Sequence, residues 1–317
     1  MRAIICGSVA FDTIMSFEGR FRDQILPDCL HMLNVSFLVP QLRREFGGCA
    51  GNIAYNMRFL GDVGVPLATV GADAGHYIEW MRGHGIPTDE IKVIDDAYTA
   101  QAFITTDEND NQITAFHPGA MNSAHVNNIA VTSDIALGVI APDGREGMLR
   151  HAEQFAAAGI PFLFDPGQGL PMFNGDELRA LIGQATWVAV NDYEWHLLNG
   201  RTGFSEAEIA SRVRALIITR GVEGSTIYAG DERFVIPPAK AHRVVDPTGC
   251  GDAYRAGLLH GLLNELDWPS TGRIASLMGA IKIEVRGTQN HRFTRSDFYS
   301  RYQQNFNERL VLAGANT

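Results

Sequence analysis

Six short runs rich in Val, Ile and Ala recur along the chain: AIICGSVA, PLATVGA, IALGVIAP, FLFDP, WVAVN and ALIITRG. Between them apolar residues return at helical spacing. This alternation is what β-α units wound around a mostly parallel sheet require, because helices cover the faces of such a sheet. Several runs end at a polar or glycine-bearing turn. Open sheets of this kind place ligands beyond the carboxyl ends of their strands, so those turns are the first places to look for chemistry.

Two stretches break the alternation, 13–45 and 98–118. In the second, YTAQAFITTDENDNQITAF reads as two strands around a polar DENDN turn. The expectation is a small separate sheet built from both stretches. It would form a lid over the ligand-bearing edge of a core made of residues 1–12, 46–97 and 119–317, with Gly47-Gly48 as hinge. The opening MRAIICGSVAFD reads as the first buried strand with Asp12 at its end rather than as a leader, since Gly7, Ser8 and Asp12 interrupt it. The polar tail from Arg301, ending AGANT, is expected to close with a helix and a frayed end.

Charge and cysteine usage remove several classes of function. The chain of 317 residues carries 36 acidic and 26 basic side chains, a formal net charge of −10, where a nucleic-acid surface needs clustered Lys and Arg. No run reaches the roughly 18 apolar residues that a membrane-spanning helix requires. Cys6, Cys29, Cys49 and Cys250 are far apart, with no C-x-x-C pair, which fits reduced thiols in a cytoplasmic enzyme better than structural zinc or disulfides. Net charge says nothing about the local field. Converging backbone N–H groups still allow an acidic protein to bind a small anion.

Two glycine-rich turns lead directly into striped helices. Asp246-Pro247-Thr248-Gly249-Cys250-Gly251-Asp252 precedes a stripe of Leu259, Leu262, Leu263 and Leu266. Such a turn at a helix start gathers unpaired N–H groups into a nest for a phosphate-like anion, and Asp252 sits beside it, where a base accepts a hydroxyl proton. Standing alone, the segment also reads as a helix-capping Asp after a turn. Phe46-Gly47-Gly48-Cys49-Ala50-Gly51-Asn52 precedes a stripe of Ala50, Ile53, Ala54 and Met57. Its glycines permit close backbone approach, and the Asn52 amide suits hydroxyl recognition. Two further turns follow strands. Asn191-Asp192-Tyr193-Glu194 suits hydrated Mg²⁺ or, more plainly, a capping box; Thr219-Arg220-Gly221-Val222-Glu223-Gly224 alone is a hairpin loop. Neither G-x-G-x-x-G after the first strand nor G-x-x-x-x-G-K-[ST] occurs, which disfavours a nicotinamide oxidoreductase and a Walker-type nucleotide site.

FGGCAGN, NDYE, TRGVEG and DPTGCGD, in that order and spacing, resemble the ribokinase-like (PfkB) carbohydrate and nucleoside kinase family over essentially the whole chain. The resemblance implies an α/β fold with a mostly parallel central sheet and a small β-sheet lid. It implies Asp252 as the base, with Gly249, Cys250 and Gly251 as anion-hole donors. Asn191, Thr219, Gly221 and Gly224 would then meet ATP, Glu194 would meet Mg²⁺ through water, and Asp246 with nearby carbonyls would hold K⁺. Within the family the chain looks most like bacterial adenosine kinases, through GRFRDQILPDCLHMLNVSFLV, FHPGAM, NDYEWHLLNGRTGFSE and DPTGCGDAYRAGLLHG.

A nucleoside needs polar partners for its ribose hydroxyls and an aromatic face for its base. Asp12 and Asn52 supply the former, with Ser8, Ser36 and Gly48 implied by the resemblance; Phe116, with Phe103, supplies the latter. Gln168 in DPGQG is a further candidate for the base, although Gly169 stands where some adenosine kinases carry a second Gln. The expected activity is phosphorylation of adenosine, with inosine and guanosine as related acceptors. The partners are nucleoside and ATP, and a homodimer through the lid is compatible. The alternatives are a sugar kinase of the ribokinase or fructokinase type and a nucleoside-binding regulator without catalysis.

Overall fold

The computed structural model describes residues 2–25, 32, 34–109, 111–130, 132 and 134–310. Cys29 and the terminal AGANT lie outside the described residues. Thirteen strands are described: β1 (Arg2–Cys6), β2 (Ala10–Ser16), β3 (Gln41–Gly47), β4 (Val63–Gly71), β5 (Ile91–Ile94), β6 (Ala100–Thr106), β7 (Gln112–His117), β8 (Ile135–Ile140), β9 (Phe162–Phe164), β10 (Trp187–Asn191), β11 (Ala215–Thr219), β12 (Ser225–Ala229) and β13 (Glu232–Ile236). The helices are α1 (Phe21–Gln24), α2 (Cys49–Leu60), α3 (Gly75–Gly83), α4 (Arg145–Ala158), α5 (Gly175–Gln184), α6 (Asp192–Thr202), α7 (Glu206–Ala210), α8 (Cys250–Leu263), α9 (Trp268–Lys282) and α10 (Arg295–Phe306).

Nine strands form the main sheet, in the order β13-β12-β11-β10-β9-β8-β1-β4-β5. The six expected runs are its six contiguous central strands, all parallel, while β12 and β13 add an antiparallel edge at β11. Side chains of a strand alternate between faces, and here both faces are apolar. On β1, Ala3 and Ile5 enter the core under α2 and α8, whereas Ile4 and Cys6 enter the core under α4, α5 and α6. On β11, Ala215 and Ile217 face the first core and Leu216 and Ile218 the second. The stripe Ala50, Ile53, Ala54 and Met57 is buried, as are Leu259 and Leu263, but α8 ends at Leu263 and Leu266 lies beyond it.

The second sheet has four strands in the order β3-β2-β6-β7, with β2 and β6 parallel and the outer pairs antiparallel. The chain enters it earlier than the sequence predicts. β1 ends at Cys6, Gly7-Ser8-Val9 turns, and Asp12 is the third residue of β2, not the end of the first strand. One face of this lid packs on α3: the rings of Phe11 and Phe46 lie 5.7 and 4.4 Å from that of Tyr77. Return to the core runs through Gly48, which has φ +85°. A Cβ there would lie 2.5 Å from Ser8 O and 2.6 Å from Ala10 N, so only glycine fits the crossing.

Candidate active site

The carboxyl ends of β8, β9, β10 and β11 and the starts of α2 and α8 enclose an open cleft of about 390 Å³. Each strand delivers what its sequence placed at its end: Pro142 after β8, Asp165 and Gln168 after β9, Asn191 on β10, Thr219 on β11. The lid contributes Asp12 from above, and α2 contributes Gly48, Cys49 and Asn52. Gly249, Gly251 and Asp252 form the floor with Thr248.

Gly249 caps α8 with φ +78°, a left-handed conformation that suits glycine, and Gly249, Gly251 and Asp252 line the cleft. The N–H groups of Gly249, Gly251 and Asp252 have no acceptor among the described residues. The Cys250 N–H differs. It donates to Pro247 O at 3.1 Å, so of the three expected donors Cys250 is the one turned away from an incoming anion.

Asp252 lies where burial is not matched by positive charge. Its carboxyl is pushed up to about 7, chiefly by burial, with the Asp165 charge adding to the rise and the Asn52 hydrogen bond and Arg255 charge opposing it. Asn52 Nδ2 donates to Asp252 Oδ2 at 2.8 Å. The Asn52 amide is itself oriented: Gln289 Nε2 donates to Asn52 Oδ1 at 2.8 Å and to the Tyr77 hydroxyl, which donates to Gly47 O. One chain of hydrogen bonds thus connects the lid crossing with Asp252. Nothing in the sequence flagged Tyr77 or Gln289.

A second unflagged element is Arg255, one turn along α8. Arg255 Nη2 donates to Asp165 Oδ1 at 2.8 Å, and both side chains are almost fully buried, at 5% and 6% exposure. Among the described residues lining the cleft it is the sole Lys or Arg.

At the far wall Asn191 and Glu194 form the capping box of α6. Asn191 Oδ1 accepts from Glu194 N and Glu194 Oε2 accepts from Asn191 N, each at 2.8 Å. Burial, and then the Asp165 charge, push the Glu194 carboxyl above its ordinary value. TRGVEG is the hairpin loop between β11 and β12: a Cβ on Gly224 would lie 2.1 Å from Ile236 O, and Gly221 has φ +52°. Thr219 reaches the cleft, whereas Gly221 and Gly224 shape the loop beyond it.

The lid's register sorts the remaining candidates. Asp12, Ala102 and Phe116 are directly paired across β2, β6 and β7 and so share a face, the one toward the cleft. Phe103 pairs with Thr13 and Ala115 and falls on the opposite face, with Phe11, so the expected pair of base-binding aromatics is split. Asp12 is pushed up to about 6 by burial, with Glu45 and Asp246 adding to it. Ser8 is buried and its Oγ accepts from Cys49 N at 3.1 Å, bracing the start of α2. Ser36 is exposed in the segment before β3, outside the cleft wall.

Asp246 is held below the usual carboxylate range: against the effect of its partial burial, its oxygens accept from Gly287 N at 2.8 Å and Thr248 N at 2.9 Å. The neighbouring carbonyls that would meet K⁺ are already engaged. Lys282 Nζ donates to Asp246 O and to Val285 O, at 2.8 and 3.2 Å. The expectation of a monovalent metal ion at Asp246 therefore does not fit the residues present.

A cleft that joins a glycine turn at a helix start, a carboxylate of raised pKa and a small second sheet has counterparts among known proteins. The family model described as pfkB family carbohydrate kinase matches residues 16–294. A nucleoside kinase of Methanocaldococcus jannaschii is 31% identical over 295 residues, 92% of this chain and 93% of its own. The structure of Burkholderia thailandensis nucleoside kinase in complex with inosine superposes with a TM-score of 0.88 at 53% identity, covering 97% of this chain and 99% of that one. The same enzyme in complex with ADP-inosine gives 0.87 at 53% identity over 99% of each chain. The fold, the glycine turn before α8 and these likenesses agree, and the chain belongs to the pfkB family of carbohydrate kinases, as a phosphotransferase that acts on a hydroxyl acceptor.

Proposed function

We propose that the protein transfers the γ-phosphoryl group of ATP to the 5′-hydroxyl of a purine nucleoside. The observation that carries this reading is the placement of Asp252: a carboxyl of pKa about 7, beside three outward amides, in a cleft roofed by Asp12. Asp252 takes the proton of the 5′-hydroxyl as its oxygen attacks the γ-phosphorus. The bond from that phosphorus to the β-bridging oxygen breaks and ADP leaves. The N–H groups of Gly249, Gly251 and Asp252 meet the charge that develops on the transferred group, each well-placed donor contributing about 3–4 kcal/mol. Asn191 and Thr219 line the side on which the nucleotide lies, with the loop at Gly221 and Gly224 as its border. Glu194, short of positive charge, fits a hydrated Mg²⁺ carried by the triphosphate, which would offset phosphate charge.

Asp12 and Gly48 meet the ribose, Asn52 positions Asp252, and Gln168 on the opposite wall is the candidate for the base. The absence of a free cationic side chain among the described lining residues disfavours a phosphosugar acceptor. Adenosine is the narrower expectation; inosine bound in the Burkholderia relative favours a wider purine range. Label transfer from [γ-³²P]ATP to a panel of nucleosides and sugars, with the site of attachment determined, tests the reading. Labelling of sugars in place of nucleosides would replace it.

Because the base must be ionised, kcat/KM falls as pH drops through about 7, where Asp252 gains its proton, and Asp12 adds a second loss near 6. A profile that stays flat to about pH 5 would contradict the assignment of Asp252. The lid register makes a second prediction. Phe116→Ala raises the nucleoside KM by about 3- to 10-fold, the worth of one aromatic contact, while Phe103→Ala leaves it within about twofold. Equal effects of the two would show that the faces are not distinguished by substrate.

Every residue of the edge strand β7 is exposed. Its unpaired edge supports a homodimer formed lid to lid, in the cytoplasm where scattered thiols stay reduced. Sedimentation is expected to give the mass of two chains, and Ile113→Lys on that edge to give one; a monomeric parent would refute the dimer.

A further inference from the structure

We propose that the Lys282 ammonium is a built-in cation, holding the floor of the anion-binding turn in the place where a monovalent metal ion was expected. The inference rests on the kinase reading above and adds a positioning residue to it. Lys282 is the last residue of α9 and is completely buried, at 0% exposure. A buried lysine normally ends at a carboxylate. This one ends at two main-chain carbonyls, Asp246 O and Val285 O, at 2.8 and 3.2 Å, the oxygen environment that an alkali cation takes.

Those carbonyls belong to the two strands of chain that form the floor. Asp246 opens the turn whose Gly249, Gly251 and Asp252 line the cleft. Val285 belongs to the segment after α9 that also supplies Gly287 N to the Asp246 carboxylate. Val245 N and Asp246 N both donate to Ile283 O, so the two segments are stitched on either side of the ammonium. Burial lowers the pKa of Lys282, and the charges of Cys250, Asp246 and Asp252 oppose that fall without cancelling it. The cation is thus covalently supplied, at fixed occupancy, below the amides that receive the phosphoryl group. It touches no reacting atom and acts by holding the turn.

The wild-type enzyme is therefore expected to phosphorylate nucleoside at rates within about twofold in KCl, NaCl and tetramethylammonium chloride of equal ionic strength. Lys282→Ala is expected to lose at least about tenfold in kcat with nucleoside KM within about threefold, and to recover part of the loss saturably with K⁺ or NH₄⁺. Lys282→Met, which keeps the volume without the charge, is expected to lose as much and not to recover. Crystals soaked in RbCl supply a readout independent of turnover. Anomalous density for Rb⁺ is expected between Asp246 O and Val285 O in Lys282→Ala and not in the wild type. Stimulation of the wild type by K⁺ of about fivefold or more over tetramethylammonium, Rb⁺ at those carbonyls in the wild type, or full activity of Lys282→Met would each overturn the proposal. Both wild-type measurements stand even where the variants fail to fold. A wild type that phosphorylates nothing in any salt would remove the kinase reading, while the Rb⁺ soak would still decide the cation's place.

Discussion

Asp252→Asn is expected to lower kcat by about 10²–10⁴-fold while nucleoside and ATP binding change by no more than about threefold. The substitution keeps the volume and leaves an acceptor for Asn52 Nδ2, so the cleft keeps its shape and loses its base. Stability should move the other way. The folded carboxyl titrates near 7, above the ordinary value of an unfolded aspartate, so the folded state binds the extra proton between those limits and stability falls as pH rises through that window. Above pH 7 the wild type retains a buried charge that costs folding energy, and Asp252→Asn removes it. The variant should therefore melt at a higher temperature than the parent at pH 8 while being nearly inactive. Turnover near that of the wild type, with the fold intact, would remove Asp252 from the mechanism.

Arg255→Met should produce the largest loss of stability. It leaves the Asp165 carboxylate, 6% exposed, without its 2.8 Å partner, and breaking a buried pair in this way costs about 3–5 kcal/mol. Urea denaturation measures it. Asp165→Asn combined with Arg255→Met should cost less than the sum of the two single changes, since no uncompensated charge then remains. The same substitution also reaches the chemistry. Arg255 holds the pKa of Asp252 down, so in Arg255→Met the acid limb of the rate profile should move to higher pH. An unchanged limb would show that the pair serves folding alone.

How far the sequence was legible depends on whether a feature is local. The six central strands were visible because each is a contiguous apolar run between turn signals, and the two glycine turns because residue order alone brings amides together at a helix start. Position within the lid was less accessible. Asp12 sits on β2 rather than at the end of β1 because the chain leaves the main sheet after Cys6 and starts a new strand at Ala10, and an apolar stretch does not mark its own end. Phe103 and Phe116 part company because the register across the DENDN turn pairs 102 with 116, and a shift of one residue would have put both rings on one face.

The buried polar network was hidden altogether. Arg255 meets Asp165 across 90 positions and Gln289 meets Asn52 across 237, and no spacing rule connects such pairs. Lys282 looks in the sequence like an ordinary basic residue near a helix end, where cations are favoured by the helix dipole. Only packing shows that its ammonium is turned inward. The capping box at Asn191 and Glu194 makes a related point: the structural reading and the functional one describe the same side chains, since the box fixes a carboxylate at the wall of the cleft.

The central claim is that the amides before α8 receive the transferred phosphoryl group while Asp252 faces the attacking hydroxyl. A crystal structure with nucleoside, ADP, Mg²⁺ and a planar fluoride mimic of the phosphoryl group tests it most directly. The mimic is expected within about 3 Å of the N–H groups of Gly249, Gly251 and Asp252, and the 5′-oxygen within about 3 Å of an Asp252 carboxylate oxygen. A mimic bound away from that turn, or a 5′-oxygen held by a different side chain with Asp252 still bonded to Asn52, would contradict it.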